Sequence, residues 1–257
     1  MKRFVKAAIA AALVTTVATP VFAAVSVSPQ ERAKIESVVH DYLLQKPEVI
    51  MQAVQELQKR QYQQAESTIK STQKNVGQFA NALFRTSSDP VVGNADGTVT
   101  VVEFFDYQCP HCIDMAPVID AIMKSNSNVR FVFKEFPIRG EMSDFAARAA
   151  LAANMQGKYY EFHHAVLTAK QPLTQDTVMQ AAKDAGLDID KLKKDMDSDA
   201  VKNQLKSNVK LAQDLKLFGT PAFFIGKTDA KASSNIAYVP GGMNQNQLQG
   251  AIDNAGK

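Results

Sequence analysis

Apolar positions along this chain change their spacing from one stretch to the next, and the changes mark out its parts. Residues 28–57 repeat at helical intervals. Ser28-Pro29-Gln30-Glu31 has the form of a helix start: a capping serine, a proline at the first position and a glutamate three residues after the serine. Ile35, Val38, Val39, Tyr42 and Leu43 then share one face, and Pro47 restarts the helix with Val49, Ile50, Ala53, Val54 and Leu57. From 58 to 72 glutamine, lysine and glutamate dominate, after which Ile69, Val76 and Leu83 return at seven-residue spacing. No proline lies between Glu48 and Asp89, so one long helix is predicted, with Gly77 its weakest point. About 40 residues would reach roughly 60 Å at about 1.5 Å per residue. A helix cannot bury its own stripe. The pattern predicts self-association through residues 28–57, the alternative being that the helix packs back on the rest of the chain.

Farther on the spacing tightens. Residues 99–105 are apolar and β-branched apart from Thr100 and Glu103 and predict a buried strand; 106–108 turn; 113–124 predict a helix kinked at Pro117. Residues 129–136, with Lys134 inside, predict a second buried strand, and a parallel pair joined by a helix is a right-handed βαβ unit. Residues 140–218 return to helical spacing: Phe145, Ala149 and Ala152; Tyr159, Phe162, Val166 and Leu167; Leu205, Val209, Ala212 and Leu215. They predict a helical subdomain inserted in an α/β fold. Residues 222–226 predict a strand, 238–240 its hairpin partner, and 247–255 a closing helix with Leu248 and Ile252 inward.

The first 23 residues read as a signal peptide: Lys2, Arg3 and Lys6, an apolar run from 7 to 18, and Val21-Phe22-Ala23 at a cleavage site. An uncleaved anchor is the alternative. Export places the mature chain, from Ala24, in the cell envelope, where disulfides persist. Composition then excludes more than it identifies. Of 29 basic residues three fall in the signal segment, so the mature chain carries 26 against 26 acids and shows no basic patch for nucleic acid. No later segment is long and apolar enough to cross a membrane.

The chain has two cysteines, in Cys109-Pro110-His111-Cys112, where the predicted strand turns into the predicted helix. A thiol at a helix N-terminus meets unpaired N–H groups and the positive end of the dipole, which favour its thiolate, the nucleophile of disulfide exchange. Pro110 suits the first turn, and His111 can add a positive charge or a hydrogen bond. A zinc site would need other ligands, with His163 and His164 the available pair. A c-type haem needs histidine after the second cysteine, where Ile113 stands. A plain structural disulfide would constrain the unfolded chain little. No metal and no cofactor is expected.

TVTVVEFFDYQCPHC, residues 98–112, resembles the active-site segment of the DsbA-type thiol:disulfide oxidoreductases of the bacterial envelope. The resemblance runs from about Val91 to the C-terminus; a narrower one, to dimeric DsbA-like proteins with an N-terminal helical extension, covers nearly the whole chain. It implies a thioredoxin fold with an inserted helical subdomain at about 140–218, a domain at 89–257, and an oligomerisation extension at 24–88. It implies Cys109 as nucleophile, Cys112 as resolving thiol, and Pro110 and His111 as tuning residues. Thr220-Pro221 resembles the cis-proline loop that faces the dithiol and presents backbone to substrate; DsbA itself has valine before this proline, and threonine resembles the isomerase DsbC. Glu103 and Lys134 are expected to form an ion pair under the dithiol, as a matching pair does in DsbA. The expected partners are unfolded or misfolded secreted proteins, a DsbB-like or DsbD-like membrane redox partner, and a second copy of the chain, with a trimer as the alternative. An envelope chaperone with an incidental dithiol is the competing function. His40, His163 and His164 are expected on helix surfaces, and Phe104, Phe105 and Tyr107 in the core, with the rim of a peptide groove as the alternative place for Tyr107.

Overall fold

The computed structural model describes residues 27–257, so the expected signal peptide lies outside the described residues. Two compact units divide between Lys59 and Arg60. In the first, helix α1 (Pro29–Gln45) starts at Ser28 with a complete capping box to Glu31 and buries no residue. Ile35, Val38, Val39, Tyr42, Ile50 and Val54 remain exposed along it and along the first turns of α2 (Glu48–Asn75).

The second unit begins within α2. The expected single helix to residue 89 gives way to a 3-10 turn at Val76–Phe79 and a short helix α3 (Ala80–Phe84). The break falls at Gly77, where any Cβ would overlap the carbonyl of Ala232. The stripe of seven-residue spacing is core: Val76 and Leu83 are buried with Ala80 and Phe84, and Ile69 packs against them. The side chain of Gln73 adds to this docking. Its amide donates to Ile236 O at 2.7 Å and accepts from Tyr238 N at 2.8 Å. Where the sequence reading carries the extension to Ser88, residues 72–84 therefore belong to the second unit.

Five strands form one sheet in the order β1 (Val91–Gly93), β3 (Val129–Glu135), β2 (Val99–Phe105), β4 (Ala222–Lys227), β5 (Ala237–Pro240). β2 and β3 are parallel, joined through α4 (Pro110–Ser125), and the other pairs are antiparallel. Strand β1 was not foreseen, because Gly93 and the turn after it mask three residues of pairing. The insertion is five helices, α5 (Glu141–Asn154), α6 (Tyr159–Thr168), α7 (Gln175–Asp184), α8 (Ile189–Met196) and α9 (Asp199–Asp214), and α10 (Gln245–Gly256) closes the chain.

Both faces of the sheet are covered. Val101, Phe105 and Phe133 face α4, α6 and α10 on one side; Val102, Phe104 and Val132 face α3 and the end of α9 on the other. The register separates Glu103 from Lys134. Glu103 pairs with Phe133 and Phe104 with Lys134, and paired residues of parallel strands point to the same face. Glu103 therefore lies on the α4 face and Lys134 on the opposite one. The expected Glu103–Lys134 pair does not form: the Lys134 ammonium instead pairs with Asp89 and donates to Ala82 O at 2.8 Å. Burial is the larger influence on both groups, raising the Asp89 carboxyl and lowering the Lys134 ammonium, with their mutual attraction working against it.

Candidate active site

Cys109 caps the N-terminus of α4, and Pro110 fills the first helical position, where no N–H is needed. Asp106 holds the turn before it. One carboxylate oxygen accepts from Gln108 N and Ser143 Oγ, each at 2.7 Å; the other accepts from Ile138 N at 2.7 Å and Arg139 N at 3.0 Å. Thus one buried side chain ties the β2–α4 turn to the segment after β3 and to α5. Sequence marks Asp106 only as a turn residue; an aspartate three residues before the helix cap is the available signal.

Both cysteines are free and buried. The Cys109 thiol donates to the carbonyl of Thr220 at 3.1 Å, across the Thr220–Pro221 bond, which is cis. Loop and dithiol thus face one another. The guanidinium of Arg139, exposed and unremarked in the sequence, stands 4.0 Å from Cys109 Sγ. Gly241 N donates to Pro221 O at 2.8 Å and keeps the proline loop in place.

Electrostatics treat the two thiols oppositely. Burial opposes a thiolate on Cys109, but the Thr220 side chain, the N–H groups of His111 and Cys112 and the Cys112 thiol outweigh it, and its pKa falls below that of an ordinary thiol. Burial and the neighbouring Glu103 carboxyl push the Cys112 thiol far up. The Thr220 hydroxyl oxygen is buried and has no hydrogen-bond partner, leaving its proton free to turn toward a sulfur anion. Glu103, 3% exposed, is raised well above the carboxylate range by burial and by Cys109.

The remaining expectations divide. Phe104 and Phe105 are core, and Tyr107, also buried, lines a cavity of about 370 Å³ with Gln108, Ile113, Val166 and Leu173 beside the dithiol. Pro110 and His111 are exposed at the helix start. His40 is exposed, and His164 is partly exposed with Asp120 at 3.0 Å. His163 is not on a surface. It is 3% exposed, between the rings of Phe105 and Phe133, and burial lowers its pKa to about 3. Its position between Tyr159 and Val166, four and three residues away on the buried stripe, was the signal.

Comparison with known proteins places this geometry. Residues 100–253 match the model of the DSBA-like thioredoxin domain, and residues 31–64 that of the copper resistance protein ScsC N-terminal domain. A thioredoxin-like oxidoreductase from Silicibacter pomeroyi is 43% identical with a TM-score of 0.62, over 68% of this chain and 96% of that one. BcfH of Salmonella enterica Typhimurium is 33% identical with a TM-score of 0.63, over 89% and 97%. The thiol-disulfide exchange protein α-DsbA2 of Wolbachia pipientis is 26% identical with a TM-score of 0.65, over 73% and 97%. A similarity to the Na(+)/H(+) antiporter NhaA 3 of Salinispora tropica, 29% over 139 residues, spans 53% of this chain and only 21% of the antiporter. Among the described residues no helix is long and apolar enough to cross a membrane.

Proposed function

This chain belongs to the DSBA-like thioredoxin-domain family and is a thiol:disulfide oxidoreductase, and from that premise we propose that it works in the periplasm, forming and isomerising disulfides in secreted proteins. The observation that carries the chemistry is the contrast between the thiols: Cys109 favours its thiolate and Cys112 its proton.

In oxidation a substrate thiolate attacks Cys109 Sγ of the disulfide, the S–S bond breaks, and Cys112 leaves with the electron pair and takes a proton. A second substrate thiolate attacks the substrate sulfur of the mixed disulfide, and Cys109 leaves as a thiolate. The substrate gains a disulfide and the enzyme keeps two reduced sulfurs. A stabilised Cys109 thiolate is a good leaving group, which makes the disulfide oxidising. Isomerisation starts from the reduced pair, Cys109 attacking a wrong disulfide. Thr220 supports that second activity by its resemblance to the isomerase loop, and its backbone beside Cys109 suits an extended substrate. A DsbB-like partner would recharge the oxidase and a DsbD-like partner would keep the isomerase reduced.

The apolar residues exposed on α1 and early α2 support a homodimer through residues 28–57, with a trimer as the other arrangement. Joining two dithiols raises the effective concentration of the second for a bound substrate. Because residues 72–84 are core, the informative truncation ends at Lys59. It should sediment as a monomer that oxidises thiols and loses most isomerase activity; a truncated chain that stays oligomeric refutes the oligomer reading. Cys109→Ser should abolish insulin reduction and oxidative refolding. Wild-type protein should reshuffle scrambled ribonuclease, whereas suppression of aggregation without reshuffling would favour the chaperone.

A further inference from the structure

β3 ends in Glu135, a buried acid that the exchange steps above do not use. Glu135 pairs with Phe105 and Glu103 with Phe133, so both glutamates project from the dithiol face, on adjacent parallel strands. Two hydroxyls converge on Glu135 Oε1, that of Tyr159 at 3.0 Å and that of Tyr107 at 3.5 Å. The same hydroxyls reach Nδ1 of His163, Tyr107 at 3.1 Å and Tyr159 at 3.5 Å. Two donors with one hydrogen each thus stand between two acceptors, each within reach of both, and they can swing together onto Glu135 when it carries charge. Its other oxygen, Oε2, has no partner.

The titratable groups facing Glu135 are Glu103 from β2, Asp106 and Tyr107 from the turn after it, and Tyr159 and His163 from α6. None is cationic at neutral pH. Burial raises both glutamates; the tyrosine hydroxyls draw Glu135 back while Asp106 and Glu103 raise it, and Cys109 raises Glu103. Two carboxyls in one apolar layer resist double ionisation, so the one with hydroxyl donors ionises first and its charge holds the proton on the other.

Resting on the exchange reading, we propose that Glu135 is a positioning residue for the dithiol: its carboxylate, held by Tyr107 and Tyr159, keeps Glu103 loaded with the proton that Cys112 needs. When the Cys109–Cys112 bond breaks, the electron pair goes to Cys112 Sγ. Glu103 gives that sulfur its proton and becomes a carboxylate. Repulsion from Glu135 then drives Glu103 to take a proton from solvent, and the layer is reset.

The test is the pH profile of disulfide opening by a small dithiol, followed in full-length oxidised protein. The wild-type rate, corrected for the thiolate fraction of the dithiol, should fall on the alkaline side where Glu103 loses its proton. In Glu135→Gln that fall should move toward acid by about one pH unit, a tenfold change in the ionisation constant. Tyr159→Phe, the milder variant should the first fail to fold, should move it the same way by less, and Glu135→Asp, which keeps the charge, should restore most of the wild-type profile. A fall that stays in place in Glu135→Gln and Tyr159→Phe, with rates lowered equally at all pH, assigns the ring a structural role and overturns the proposal. Wild-type protein whose disulfide does not open at all would instead overturn the exchange reading.

Discussion

The two faces of the sheet bury charge in opposite ways. On the face turned from the dithiol, Lys134 and Asp89 form a buried ion pair, with the ammonium also held by the carbonyl of Ala82. On the dithiol face, Glu103 and Glu135 have no cation, and burial raises both. A buried pair fixes structure, because removing either partner strands the other. A buried acid without a cation or a hydroxyl donor, as Glu103 is, keeps its proton to higher pH than an ordinary carboxyl, and a departing thiolate requires a proton. The molecule thus places its permanent charges behind the sheet and its exchangeable protons beneath the sulfurs.

Breaking the pair should have the largest effect. Lys134→Met leaves Asp89 buried without its ammonium and should cost about 3–5 kcal/mol in urea unfolding at neutral pH. With its folded pKa raised above the unfolded value, Asp89 takes stability away as pH rises past the ordinary carboxylate range, so the loss should shrink in acid. The glutathione equilibrium should stay within about twofold of wild type, less than a third of a pKa unit of interaction energy. A larger change would mean that the back face tunes the dithiol after all. Also on the back face, Gly77→Ala sets a Cβ against the Ala232 carbonyl and should cost about 1–3 kcal/mol with exchange rates unchanged. Unaltered stability would show that the break in the helix is not held by that approach.

The dithiol face should respond with the other sign. Glu103→Leu removes an unpaired buried carboxyl and should add about 1–3 kcal/mol at neutral pH. Glu103 has a raised folded pKa, so the gain belongs above the unfolded carboxylate pKa and should vanish in acid. The same variant should shift the reduction potential; an unchanged potential removes Glu103 from the tuning of the couple. The smallest effect is expected from Arg139→Met. An exposed guanidinium at 4.0 Å is screened by solvent, so the Cys109 thiolate titration, followed by absorbance, should rise by only a few tenths of a unit. No rise at low salt would leave Arg139 without an electrostatic part.

Much of this was legible in the residues themselves. A β-branched run into Cys-Pro-His-Cys specifies a strand, a tight turn and a helix whose first N–H groups face a sulfur, and each step is local. The helical insertion and the closing hairpin likewise follow from spacing and from glycine and proline, whereas at Gly77 spacing marks only a weak point in a continuous helix and the approach of the Ala232 carbonyl accompanies the break. What local spacing could not supply was the choice of face. β2 and β3 are buried on both sides, so their apolar residues run on without alternation, and a shift of one residue in their register would have put Glu103 and Lys134 together. Only the tertiary pairing sent Lys134 to Asp89 and gathered Glu103 and Glu135 beneath the thiols. The chain alone determined where its reactive sulfurs are and what they do; the register of two neighbouring strands decided which acids lie under them, because hydrogen bonding between strands, and not the order of residues within one, fixes which side chains share a layer.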